Sequence, residues 1–362
     1  LPEAVLSAIK VNGHYYAAPV NIHSTNWVWA NKEVLAKAGV TADSTSVANN
    51  LNFLKKVFNH PKVITLDELP DLYGPADDRI LNISTRAQIG TGANAAVVGL
   101  ADLAGALLDD PRVTALGLYI EGIDDAPAFA ALAEKARAAG KGVVAIKSGK
   151  TELSRTAAAS HTASLAGGGA ASSAFLRQIG VAEVNTPSEL IETLKLFHVH
   201  GPQIGTRICS LSCSGGEAGL VADLAAPFGI DFPPVPQETH DRLFAVLGEI
   251  PTISNPLDYH TFIWGDGPKT TEVFSAMLEA YDAGLYIIDS PRADRCDPSG
   301  YQPAFDAIVA AQKATGKIAL PVALIAENFG EARVDAMMKE GVCALLGLET
   351  ALAAIKAAQT PA

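Results

Sequence analysis

The amino-acid sequence predicts an α/β protein: two consecutive doubly wound parallel sheets, preceded by an α+β segment of different character. Three observations carry that expectation. From about residue 85 onward, short apolar runs rich in β-branched residues alternate with helical segments, and such alternation means parallel strands covered on both faces. The alternation begins a second round after Gly201-Pro202. The first 84 residues lack the pattern.

In chain order, residues 1–46 are aromatic-rich, with Tyr15, Tyr16, Trp27 and Trp29. They read as a short helix, an Asn12-Gly13 turn between two strands, and another helix. Residues 47–84 show no periodicity that assigns an element. TALGLYIEG (114–122) is a buried strand and 126–139 a helix; GVVAIK (142–147) is the next strand. VAEVN (181–185) and the helix SELIETLKLF (188–197) close the first round. The second opens with TRICSLSCSGGEAG (206–219), a strand running through a glycine turn into the helix GLVADLAAPF. Strands follow at 285–289, 319–326 and 343–347, with helices near 269–283, 302–315, 330–340 and 349–358. The expected division is therefore 1–84, 85–202 and 203–362, the last two being flavodoxin-like.

Bulk properties exclude several classes. The 362 residues are 49% hydrophobic and 18% charged, which describes a packed globular chain rather than a disordered one. A formal charge of −12, from 27 basic and 39 acidic residues, argues against a nucleic-acid partner. Cys209, Cys213, Cys296 and Cys343 are too few and scattered for a disulfide framework. No apolar run reaches the ~18 residues of a membrane span. The chain opens on Leu1 rather than methionine and shows no leader, so the expectation is a cytoplasmic protein whose true start lies upstream.

Two phosphate motifs fail on inspection. SGKT (148–151) follows a strand, but the first glycine of a P-loop would fall at Val144. GTGANA (90–95) lacks the third glycine of a dinucleotide fingerprint and follows no clear strand. His198-Val-His200 has the spacing of strand ligands but no third ligand, so no metal site is expected. Cys209 and Cys213 fall on one face of a buried strand and read as core.

The chemistry gathers instead around His161, in SRTAAASHTASLAGGGAASSAF (154–175). A phosphoryl-carrying imidazole needs a carboxylate to orient its second nitrogen and amide donors for the phosphoryl oxygens. Helix N-termini supply such donors. Ser160 and Thr162 flank the ring, Gly167, Gly168 and Gly169 open a helix just after it, and Ser214-Gly215-Gly216 opens another. Glu121 stands at the carboxyl end of its strand, where ligands of parallel sheets bind. Asn255 and Asp258, in SNPLDYH (254–260), either cap a helix or line an acyl site. Asp258, Tyr259 and His260 with Trp264 either shape a pocket for an aromatic acid or pack in the core.

Two resemblances follow from these residues. GTGANAAVVGLADLAGALLDDPRVTALGLYIEG, AIKSGK, AAASHTASLAG, SCSGGEAGLVADLA and SNPLDYH resemble the nucleoside-diphosphate-forming acyl-CoA synthetases, relatives of succinyl-CoA synthetase, over about residues 85–358. The aromatic-rich 1–46 stretch resembles sugar-binding proteins of ABC transporters, and so implies a solute-binding module as the alternative to an enzyme. A catalytically silent, partner-binding remnant is a third option.

The synthetase resemblance implies an acid–thiol ligase, with CoA and ATP or ADP as substrates and no tightly bound cofactor. It makes His161 the phosphorylated residue, with Ala163 where glycine is usual. Glu121 would steady it, with phosphoryl oxygens held by Ser160, Thr162, Gly167, Gly168, Ser214, Gly215 and Gly216. The family's CoA-binding Rossmann domain and nucleotide-binding ATP-grasp part are not visible in this chain. An ATP-grasp domain or subunit, holding Mg with the nucleotide, is thus the expected partner, in an oligomer.

Overall fold

The structure is a computed structural model that describes residues 10–11, 14–15, 80–84, 87–88, 97–98, 100–123, 125–154 and 169–359. His161, Ser160, Thr162, Gly167 and Gly168 lie outside the described residues, as do Trp27 and Trp29.

In chain order the elements begin with β1 (Lys10–Val11) and β2 (His14–Tyr15), an antiparallel pair on either side of Asn12-Gly13 that pairs Val11 with His14. Next come β3 (Ile80–Ser84), β4 (Ala87–Gln88), β5 (Val97–Val98) and α1 (Leu100–Leu108). β6 (Ala115–Ile120), α2 (Ala126–Ala138), β7 (Gly142–Lys147), α3 (Gly169–Gln178), β8 (Ala182–Val184) and α4 (Pro187–His200) follow. The remainder runs β9 (Ile208–Ser212), α5 (Gly215–Ala225), α6 (Gln237–Leu247), β10 (Leu257–Asp258), α7 (Gly267–Glu279) and β11 (Ala283–Ile287). It ends with α8 (Gln302–Thr315), β12 (Ile318–Ala323), α9 (Glu331–Lys339), β13 (Leu345–Leu346) and α10 (Leu348–Ala357).

The chain divides into two compact units. One holds β1, β2, β4, β5 and α1; the other holds β3, β6 and everything from residue 130 onward. The second unit carries the two parallel sheets. The first sheet has the order β3-β6-β7-β8 and the second β10-β9-β11-β12-β13, and every pairing in both is parallel. Counted from β9, the second sheet is ordered 2-1-3-4-5, the flavodoxin order, with its switch point between β9 and β11. The first sheet draws its edge strand, ILNIS at 80–84, from the stretch that sequence periodicity leaves unassigned ahead of residue 85.

All six residues of β7 are buried, as are all five of β9 and of β11. Continuous apolar strands form here because helices cover both faces. α4 lies close against the first sheet: a Cβ at Gly117 would stand 2.6 Å from Leu194 Cδ1, and one at Gly142 2.2 Å from Phe197 Cδ2. Only glycine permits that approach. α4 also packs on α10, and one apolar core joins Leu190, Leu194 and Phe197 to Ala351, Leu352 and Ile355. A second core, with Tyr259, Phe274, Tyr286 and Phe305, fills the opposite face of the second sheet.

Candidate active site

Two carboxyl edges carry the polar chemistry. On the first sheet, β6 ends at Ile120 and releases Glu121, which is half-buried. Beside it, β7 ends in Lys147, only 3% exposed. A buried ammonium must be matched by acceptors. Lys147 Nζ donates to the Glu121 carbonyl at 2.8 Å and to the Ser148 carbonyl. Burial lowers its pKa, Glu183 opposes that, Lys150 adds to it, and Glu121 opposes it again. Ser148 N–H ties the same turn to the Ile120 carbonyl at 2.9 Å. Lys150 reaches Glu183 at 2.9 Å and Asn185 Oδ1 at 3.1 Å.

Gly169, the first residue of α3, returns to this turn. A Cβ there would lie 2.8 Å from Lys150 Cα and 2.9 Å from its carbonyl oxygen. Gly169, the first described residue after His161, therefore returns to the Lys150 turn that follows β7, at the edge that carries Glu121 and Lys147.

On the second sheet the edge lies at the switch point. β9 ends at Ser212, whose hydroxyl donates to the Ser214 carbonyl at 3.0 Å. Ser214 is the N-cap of α5, yet its side chain makes no capping bond; the first bond of the helix is Ala218 N–H to the Ser214 carbonyl, 3.1 Å. The amides of Gly215 and Gly216 are thus among the unpaired donors of a helix start. A Cβ at Gly215 would stand 3.2 Å from Asp258 Oδ2.

Around this turn stand Glu217, Asp258 from β10 and Asp289 beyond β11. Asp258 accepts from His260 N–H at 2.9 Å and meets its Nε2 at 3.8 Å; Asp289 accepts from Leu324 N–H at 3.0 Å. Glu217 Oε2 is buried and meets no partner among the described polar groups. Burial, and then the charges of Asp289 and Asp258, push its carboxyl up to about 7. The Tyr259 hydroxyl is likewise buried and unpartnered, on a residue 1% exposed. Burial raises that phenol well above its usual range, and Cys213, Glu217 and Asp258 add to the effect. His260 holds a positive φ of 56°, a region uncommon for any residue but glycine.

Several sequence expectations shift. Asn255 neither caps a helix nor faces this turn. Its amide accepts from Ser210 N–H at 3.1 Å and donates to the Ile208 and Pro233 carbonyls at 3.0 and 2.9 Å, pinning the loop to β9. Trp264 packs edge-on against Tyr301, with 5.1 Å between ring centroids. His198 and His200 lie on α4, not on a strand, because that helix runs three residues past the expected 197. Helical spacing of two points their rings apart: His198 Nδ1 meets Thr114 Oγ1 at 2.7 Å, while burial lowers the His200 ring to about 4. Cys209 is core, its thiol raised by burial, but Cys213 falls just past β9, half-buried near Glu217 and Asp258. No helix among the described residues is long and apolar enough to cross a membrane.

Lys147, Glu217 and Asp289 escape sequence reasoning, whereas Tyr259 is among the residues expected either to shape a pocket or to pack in the core. Lys147 and Asp289 each follow or close an apolar strand, the signal that singles out Glu121. Glu217 completes a Ser-x-x-Glu pattern, which reads as an ordinary capping box.

Residues 69–197 match the succinyl-CoA ligase like flavodoxin domain. A trans-feruloyl-CoA synthase from an unidentified prokaryote is 29% identical over 208 residues, 58% of this chain and 29% of that protein. The alpha subunit of an ADP-forming acetate–CoA ligase II from Pyrococcus furiosus is 35% identical over 165 residues, covering 46% and 36% of the two chains. The chain thus spans about a third of the length of these relatives. The fold is shared with a dinucleotide forming acetyl-coenzyme A synthetase 1 from Ca. Korarchaeum cryptofilum, solved in complex with phosphate and ADP. That likeness has a TM-score of 0.59 at 23% identity and covers 73% of this chain and 56% of that one. A separate 45-residue stretch is 53% identical to a probable sugar-binding periplasmic protein of Rhizobium meliloti, 12% of this chain and 11% of that protein. Residues 69–197 thus carry a succinyl-CoA ligase like flavodoxin domain, and part of the chain is similar to ADP-forming acetate–CoA ligases.

Proposed function

We propose that this chain is the phosphoryl-carrying component of an ADP-forming acyl-CoA synthetase. In this reading a carboxylic acid, CoA and ATP become acyl-CoA, ADP and phosphate. The acid's carboxylate takes a phosphoryl group to form an acyl phosphate, and CoA displaces phosphate from it. A nitrogen of His161 carries the phosphoryl group between the nucleotide and the acyl site. The observation that carries the reading is the return of Gly169, eight residues after His161, to the Lys150 turn at the edge that holds Glu121 and Lys147. Glu121 orients the imidazole through its second nitrogen, and Lys147 fixes the Glu121 backbone. The Ser214-Gly215-Gly216 turn supplies amides to the phosphoryl oxygens. Chemistry of this kind asks the protein mainly to position groups and neutralise charge. CoA and the Mg–nucleotide bind elsewhere, the nucleotide on an ATP-grasp partner.

The test is phosphorylation. With the partner present, acyl-CoA and labelled phosphate should leave an acid-labile, base-stable label on the chain. His161→Ala should abolish it, and Glu121→Gln should lower its yield at least tenfold with an unchanged unfolding curve. Label that persists in His161→Ala ends the carrier assignment. A solute-binding module is the second reading, and it rests on the 45-residue likeness to a sugar-binding protein. Saturable sugar binding by calorimetry, with no histidine label, would favour it.

A further inference from the structure

The edge of the second sheet holds more hydrogen-bond donors than the protein itself can use. Gly215 and Gly216 present amides at the start of α5, and the Tyr259 hydroxyl, on a residue 1% exposed, faces Cys213, Glu217 and Asp258 without a partner. Glu217 Oε2 is buried and unpartnered in the same place. Ionised, Glu217 would be a third negative charge beside Asp258 and Asp289. Those two aspartates meet the backbone N–H groups of His260 and Leu324 and the His260 ring; among the described residues no lysine or arginine pairs with any of the three carboxylates. Protonated, Glu217 becomes one more donor, and every unsatisfied group at the turn then seeks an acceptor.

We propose, resting on the phosphoryl-transfer reading above, that protonated Glu217 and Tyr259 donate hydrogen bonds to an oxyanion seated on the Gly215-Gly216 turn. This half of the site takes up one proton together with its anion. The arrangement lets a turn flanked by carboxylates hold a phosphoryl or sulfate-like group: the proton on Glu217 cancels one of three negative charges and supplies a short, strong donor. The groups facing Glu217 are Asp258 from the β10 side, itself in contact with His260, Asp289 from the β11 side, and Cys213 and Tyr259.

Sulfate is the probe, because it remains a dianion throughout the range and the ligand itself does not titrate. Calorimetry from pH 6 to 8, in two buffers of different ionisation heat, reads both affinity and protons taken up. With the carboxyl at about 7, wild-type affinity should fall about tenfold over those two units, with close to one proton bound per sulfate at pH 8. Glu217→Gln should bind with a flat profile and no proton uptake. Tyr259→Phe should weaken binding several-fold at every pH and keep the slope. An unchanged slope in Glu217→Gln overturns the proposal. So does an absence of sulfate binding at pH 6, or Mg²⁺ binding that needs Glu217 in place of sulfate. Loss of the histidine label with proton-linked sulfate binding intact would remove the carrier reading alone. An intact label with a flat sulfate profile would remove this inference alone.

Discussion

Helices α4 and α5 open with the same pattern: Thr186-Pro187-Ser188-Glu189 against Ser214-Gly215-Gly216-Glu217. At α4 the capping box closes. Thr186 Oγ1 accepts from Glu189 N–H at 3.2 Å and Glu189 Oε2 accepts from Thr186 N–H at 3.3 Å. At α5 neither side chain closes, and the hydroxyl and carboxyl are free for other partners. The bodies of the two helices differ as well. α4 buries Leu190, Leu194 and Phe197 against the first sheet and α10, whereas only Val221 and Ala225 of α5 are buried. One helix start is spent on stability and the other is held open at the switch point of a parallel sheet. A capping-box sequence therefore marks a helix start without deciding which of these uses it serves.

The largest test of α4 as the structural helix concerns its buried ion pair. Lys195 Nζ donates to both Glu192 oxygens at 2.9 and 2.7 Å, and Glu192 Oε2 also accepts from Leu346 N–H of β13 at 2.9 Å. The two residues are 8% and 5% exposed. Glu192→Ala leaves an ammonium and an amide buried without partners, which should cost about 3–5 kcal/mol in urea unfolding. Replacing Lys195 with Met in the same chain removes the orphan charge and should recover at least half of the loss. If the double variant is no more stable than the single one, the pair is not what ties α4 to the second sheet.

For α5 the sign reverses. The Glu217 carboxyl is raised from 4.5 in the unfolded chain to about 7 in the fold. Between those values the folded state keeps a proton that the unfolded state has lost, so stability falls as pH rises and the penalty is complete above about 7. Screening at this half-buried position reduces it to about 1–2 kcal/mol. Glu217→Ala should therefore stabilise the protein by about that much at pH 8 and by nearly nothing at pH 4, less a few tenths for the lost interaction with the helix dipole. Glu189→Ala should destabilise by about 1 kcal/mol. Thermal melts of both variants at pH 4 and pH 8 decide it, and a loss of stability at pH 8 in Glu217→Ala would make the two helix starts equivalent.

How far the sequence foretells this contrast depends on the length of each signal. GVVAIK at 142–147 and the helix at 302–315 come out at their expected bounds because long one-type runs leave little choice. α6 escapes the pattern: its polar QETHDRLFAVL buries only Thr239 and Leu243, so its apolar face is narrow. β3 escapes it because ILNIS becomes a strand only by pairing with β6, a partner 35 residues away in the first pairing. At the site, Glu121 and the Ser214-Gly215-Gly216 turn are legible from position alone, at strand ends and helix starts. Tyr259 is legible only as one of two alternatives, pocket or core, and Asp289 is not legible at all. Their significance lies in what they face, and the residues that meet at this edge come from separate strands brought together by the 2-1-3-4-5 order.

The smallest test compares the caps themselves. Thr186 Oγ1 accepts a bond from Glu189 N–H and sits in a closed box, so Thr186→Ala should lose about 1 kcal/mol, a drop of roughly 2–4 °C in Tm for a domain of this size. Ser214 makes no capping bond, so Ser214→Ala should change stability by less than about 0.5 kcal/mol. Its effect should appear in sulfate affinity, because the hydroxyl stands beside the turn: a Cβ at Gly216 would be 3.6 Å from Ser214 Oγ. If Ser214→Ala matches Thr186→Ala in lost stability and leaves sulfate binding untouched, the hydroxyl caps α5 in solution after all. The open end would then be an ordinary helix start, and the glycines alone would have to account for anion binding there.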